Sequence, residues 1–149
     1  MTVWSTVLEA CTLLGAAFLT VYAIDVVVLE RLANGADRPL PRGAEWTAIC
    51  RRIHHRFIWP AAISVAAALL ASYYLQDDRW QVGAGLMIGA ICYTWDKILP
   101  AGTVLYTIDP SRPATLHLTR ARFRDYAIRH IPLIVLGLGA LAAYAWAHY

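Results

Sequence analysis

The sequence predicts an all-α integral membrane protein: one domain of four antiparallel, up-and-down helices with both termini on the non-cytoplasmic side. Three observations predict it. The 149 residues are 59% hydrophobic and only 15% charged, where a soluble domain carries about 45–50% apolar and about 25% charged residues. Four apolar stretches reach the roughly 17–25 residues needed to cross a bilayer. Twelve of the thirteen Lys and Arg residues fall in the two connections that share one side, which the positive-inside rule makes cytoplasmic. The charge deficit excludes a soluble globule and a disordered chain. The net charge of +3 is too small to point to a nucleic-acid partner.

The first span runs from about Trp4 to Leu29 and is interrupted by Glu9 and Asp25. It is too long for the apolar core of a signal peptide and no basic residue precedes it, so it is not a cleavable signal. Ala33–Arg42 is rich in Gly, Pro and charge and reads as irregular. Glu45–Arg56 is helix-compatible and leads into the second span, about Phe57 to Leu75, with Pro60 near the first turn, where its missing N–H costs little. The third span is about Trp80 to Leu99, and the fourth about Ile128 to Trp146. In lipid the backbone must satisfy itself within each segment, so the spans are helices. Leu99–Pro110 is apolar yet broken by Pro100 and Gly102. It is too short to cross again and is expected to lie in the interface or to fold under the bundle as a floor or lid for a pocket. Trp4, Tyr73, Tyr74, Trp80 and Trp146 mark the outer interface, and Trp59, Tyr93, Trp95 and Tyr126 the inner one. Small residues allow close helix approach, among them the Gly85/Gly89 GxxxG pair, expected in internal packing or, as the second choice, in a dimer.

Basic residues fix the orientation through Arg31, Arg38, Arg42, Arg51, Arg52 and Arg56 in the first connection and Lys97, Arg112, Arg120, Arg122, Arg124 and Arg129 in the third. Arg120, Arg122 and Arg124 suit anionic lipid heads. Cys11, Cys50 and Cys92 form no CxxC, so neither a thiol–disulfide relay nor a thiolate zinc site is supported.

Ionisable residues inside spans are costly and mark candidate function. Antiparallel crossings bring Asp25, His54 (rather than His55), Asp96 and His130 to one depth near the cytoplasmic face. Imidazole and carboxylate together suit proton transfer near neutral pH, which makes these four the candidate catalytic residues. Trp59, Trp95, Tyr106 and Tyr126 supply rings for a bound ligand. The same groups could hold iron, copper or zinc, or a haem, but no HxxxH or HExxH spacing is present, no metal ligand is assigned and the cofactor stays unknown. A plain polar lock, in which these groups satisfy each other and lipid phosphates, is the bland reading. Glu9 reads as an interfacial acid, and His117 and His148 as solvated.

Ile53-His54 with Trp59-Pro60, then Leu99-Pro100-Ala101-Gly102, Leu105 and Asp109-Pro110, then Arg122-Phe123-Arg124-Asp125-Tyr126 leading to Arg129-His130, resemble the motifs of the anthrone-oxygenase-like family of small four-helix membrane proteins. The family's Asn positions hold His54, Trp59, Gly102 and Arg129 here, and its last Arg position holds Pro132. The resemblance covers nearly the whole chain. It implies oxygenation of a lipophilic anthrone- or quinol-like aromatic without a classical cofactor, with His130 keeping the family's proton-transfer group. On that reading the partners are membrane lipid and a lipophilic small molecule. An accessory or assembly subunit of a larger membrane complex, a homo-oligomer and a transporter are the competing readings. The expected location is the bacterial inner membrane.

Overall fold

The computed structural model describes residues 3–35, 43–106 and 116–149, the side chains of 32–57, 106, 116–117 and 119 excepted. Every regular element is helical: α1 is Val3–Gly35, α2 Gly43–Leu75, α3 Arg79–Tyr93, a π-helical turn Thr94–Ile98, α4 Leu99–Tyr106, α5 Leu116–Ile128 and α6 Ile131–His148. Among the described residues four stretches are long and apolar enough to span a membrane: Val3–Arg31, Ile58–Leu75, Arg79–Leu105 and Arg120–His148. The chain is therefore an integral membrane protein in contact with lipid.

α1 packs on α2 and α6, and α3 packs on the same two helices, so the order around the bundle is α1, α2, α3, α6. The buried stripe of α1, Thr12, Ala16, Leu19, Ala23 and Val26, repeats every three or four residues, as a single helix face requires. Small residues let the helices touch. A methyl group on Gly15 would lie 2.5 Å from the Pro60 carbonyl oxygen and 2.6 Å from Ser64 Cβ. There the Ser64 hydroxyl donates to the Thr12 carbonyl at 2.8 Å. Gly83 lies against the Tyr144 ring and Gly137 against the Thr20 hydroxyl. Gly85 and Gly89 have nothing within 4 Å of an added methyl. The internal contacts thus use Gly15, Gly83 and Gly137, and the expected GxxxG pair takes no part in them.

α2 ends in a tight turn. Gln76 adopts φ 51°, the left-handed conformation that closes many helices, and the Asp77 N–H returns to the Ser72 carbonyl at 3.2 Å. The third span departs from the expected boundary. It does not stop at Leu99 but continues as helix to Tyr106. Pro100 has no N–H and its ring crowds the carbonyl four residues back. The chain absorbs this by widening one turn, with the Leu99 N–H reaching the Thr94 carbonyl five residues earlier. Leu99–Tyr106 is therefore an extension of a span, not a floor. Pro60 lies inside α2, which starts at Gly43, and in the first turn of the apolar span Ile58–Leu75, as expected. Trp80, expected at the lipid interface, is buried and stacked on Tyr144 with centroids 5.8 Å apart.

Candidate functional site

The fourth span is interrupted at Arg129 and His130. Pro132 cannot donate to the Ile128 carbonyl, so α5 stops at Ile128 and α6 starts at Ile131. The Ile134 N–H picks up the His130 carbonyl at 3.2 Å. His130 stands at this break, 0% exposed. Its Nδ1 lies 2.8 Å from the Tyr126 carbonyl oxygen, one turn earlier. A carbonyl only accepts, so Nδ1 carries the hydrogen. In the neutral ring the lone pair then resides on Nε2, the arrangement of an imidazole that accepts a proton or binds a ligand.

Aromatic rings enclose it. Tyr126, 1% exposed, meets the imidazole edge-on with centroids 4.6 Å apart and planes at 62°. Tyr22 from α1 meets it from another side at 5.6 Å and 68°. Phe123, Ala127 and Leu133 are buried on the same two helices. Low polarity around an imidazole strengthens every electrostatic contact it makes and lowers the population of competing water.

Of the residues expected from sequence, the structure brings Tyr126 and His130 together. Asp25 points outward from α1. Asp96 lies in the π turn, 71% exposed at the side chain, and pairs with Lys97 at 2.9 Å. Thr94 and Ile98 take the two inward positions of that turn, which leaves Trp95, Asp96 and Lys97 outside. Trp59 and Trp95 are 71% and 67% exposed, so neither ring lines a buried pocket. The side chains of His54, His55 and Tyr106 lie outside the described residues. The group that orients the imidazole is thus a backbone carbonyl, where an aspartate was expected. Among the described residues no three His, Cys, Asp or Glu side chains gather closely enough to hold a metal ion.

Sequence reasoning missed Tyr22 and Glu30, both buried on α1. The signal was available. Tyr22, Val26 and Glu30 are spaced by four, and Val26 belongs to the apolar stripe, whereas Asp25 falls beside it. It also missed a contact at the far end of the bundle, where His148 Nδ1 lies 3.1 Å from Glu9 Oε2.

Comparison with known protein families, curated proteins and solved structures finds no match.

Proposed function

We propose that this protein is a membrane-embedded oxygenase acting on a lipophilic aromatic of the anthrone or quinol type, with His130 as the general base. The observation that carries the proposal is the His130 imidazole, buried among Tyr22 and Tyr126 with Nδ1–H committed to a carbonyl. Such a ring offers Nε2 to an acidic proton, and the tyrosine rings suit a flat aromatic partner. The resemblance of the fourth-span motif supports the same role.

The reaction balances without a further reductant. Nε2 takes a proton from the activated CH2 of the substrate. The electron pair left on carbon passes to O2, and a C–O bond forms. The peroxide takes the proton back and loses water, so CH2 and O2 become C=O and H2O. Apolar walls keep the carbanion from competing water. His54 remains a second candidate base, with Asp25 and Asp96 remote in role because their side chains face outward.

The setting belongs to the proposal. We place the termini outside and the two basic connections in the cytoplasm, as an up-and-down bundle in a bacterial inner membrane. Support comes from the contact of Glu9 with His148 and of Arg79 with the Trp146 carbonyl, which put the end of α6 beside the starts of α1 and α3. The basic side chains Arg31, Arg120, Arg122 and Arg124 are exposed at the opposite end.

The test is O2 uptake and quinone absorbance in membranes supplied with an anthrone. His130→Gln is expected to lower turnover about 10²–10⁴-fold, the usual contribution of a positioned base, while Cys92→Ser on the exposed side of α3 leaves it unchanged. Wild-type turnover that His130→Gln does not reduce overturns the assignment. A second reading, an accessory subunit, is favoured by one observation: Gly85 and Gly89 form an open small-residue face on α3. Co-purification of a stoichiometric membrane partner that is lost with Gly89→Leu would select it.

A further inference from the structure

The outer end of the bundle carries an ionisable pair that the proposed chemistry does not use. Glu9 lies in the second turn of α1, and its side chain is only 12% exposed. His148 closes α6 and is 46% exposed at the side chain. Their 3.1 Å contact joins the first and last spans. The Thr12 hydroxyl donates to the Glu9 backbone carbonyl at 2.7 Å. A carboxylate inside a span needs a partner, and here that partner is an imidazole, charged only when protonated.

The other charged groups at this end are engaged elsewhere. The buried face of α2 is Ala67, Ala68, Ala71 and Ser72, none of them ionisable. In the turn before α3, Arg79 holds both oxygens of Asp77 at 2.7–3.0 Å and donates to the Trp146 carbonyl at 3.0 Å. Asp78 accepts from the Gln81 amide at 2.8 Å. On α6, Tyr144 is buried against Trp80, and Tyr149 packs edge-on against His148 at 5.6 Å. His148 is thus the cation that faces Glu9 among the described residues.

We infer that Glu9 and His148 form a proton-dependent clasp that holds the start of α1 against the end of α6 and closes the outer end of the bundle. The two groups carry opposite charges only where the carboxyl is ionised and the imidazole is protonated. The clasp therefore tightens when the imidazole gains its proton on going from alkaline to mildly acidic pH. With the imidazole neutral or the carboxyl protonated, at most an uncharged hydrogen bond is left.

The test is a double-variant cycle on the full chain in lipid nanodiscs, using Glu9→Gln, His148→Gln and both together. At pH 6 each single change lowers the Tm by about 2 °C, the scale of a half-exposed ion pair, and the double change lowers it no further. At pH 9 the difference between wild type and each single variant shrinks to less than half. Additive losses at pH 6, or the same coupling at both pH values, overturn the inference. Should a variant fail to fold, wild-type amide exchange decides. After correction for intrinsic rates, protection over Ser5–Thr12 rises from pH 9 to pH 6; unchanged protection sinks the clasp.

Discussion

At the scale of single residues, the imidazole of His130 is set by one proline and one carbonyl. Pro132 interrupts the helix beside His130, and the Tyr126 carbonyl chooses the tautomer. Nothing in the sequence names a backbone carbonyl as partner, which is why Asp25 and Asp96 looked like the orienting groups. The sequence placed His130 and Tyr126 near the basic end by depth and by the inner aromatic belt, and their i, i+4 spacing on one helix face brings them together. Two other residues make sharp predictions. Gln76 holds a left-handed conformation that costs a non-glycine residue about 1–2 kcal/mol. Its amide donates to the Tyr73 carbonyl at 2.6 Å, which offsets part of that cost. Gln76→Gly should therefore raise stability by about 0.5–1 kcal/mol in denaturant titration. Asp77 sits in the turn outside the spans. Its hydrogen bonds from the Arg79 side chain, and next from the Arg79 backbone N–H, hold its carboxyl below the ordinary range. A carboxyl lowered in the folded state stabilises above its unfolded pKa and loses that contribution as pH falls. Asp77→Asn should lower the Tm at pH 7, and the difference should fade as the pH drops below 3.8.

At the scale of elements, composition located the helices, but contacts decided their roles. Apolar length was enough to place all four spans, since the bilayer leaves few other solutions. It did not reveal which glycines touch. Gly85 and Gly89 fit the GxxxG pattern, yet the packing falls to Gly15, Gly83 and Gly137, whose spacing along the chain has no motif. Helix rotation decides this, and rotation depends on the partner helices. Gly15→Ala should destabilise by about 1–3 kcal/mol, because the Pro60 carbonyl is backbone and cannot swing aside. Gly89→Ala, with nothing within 4 Å, should leave unfolding in detergent unchanged. Equal effects of the two changes would contradict the assigned helix faces. The third span was read short for a related reason. Pro100 signals a break to sequence reasoning, whereas the π turn lets the helix pass it.

At the scale of the whole molecule, the bundle has two polar ends and is tightly packed in the half that holds the start of α1 and the end of α6. Thr12, Gly15, Ser64, Gly83 and Tyr144 close that half, with Glu9 and His148 above them. The close packing of that half is a physical obstacle to a through path. The buried His130 and Tyr126 lie towards the basic end of the bundle. The central claim is that His130 is a buried base whose Nδ1 is committed to the Tyr126 carbonyl. Ring 15N NMR of histidine-labelled protein in lipid bilayers at pH 7, with His130→Gln to assign the signal, measures this directly. The account predicts a protonated Nδ1 and an unprotonated Nε2 for His130. A resonance pair showing hydrogen on Nε2 and a bare Nδ1 would contradict it.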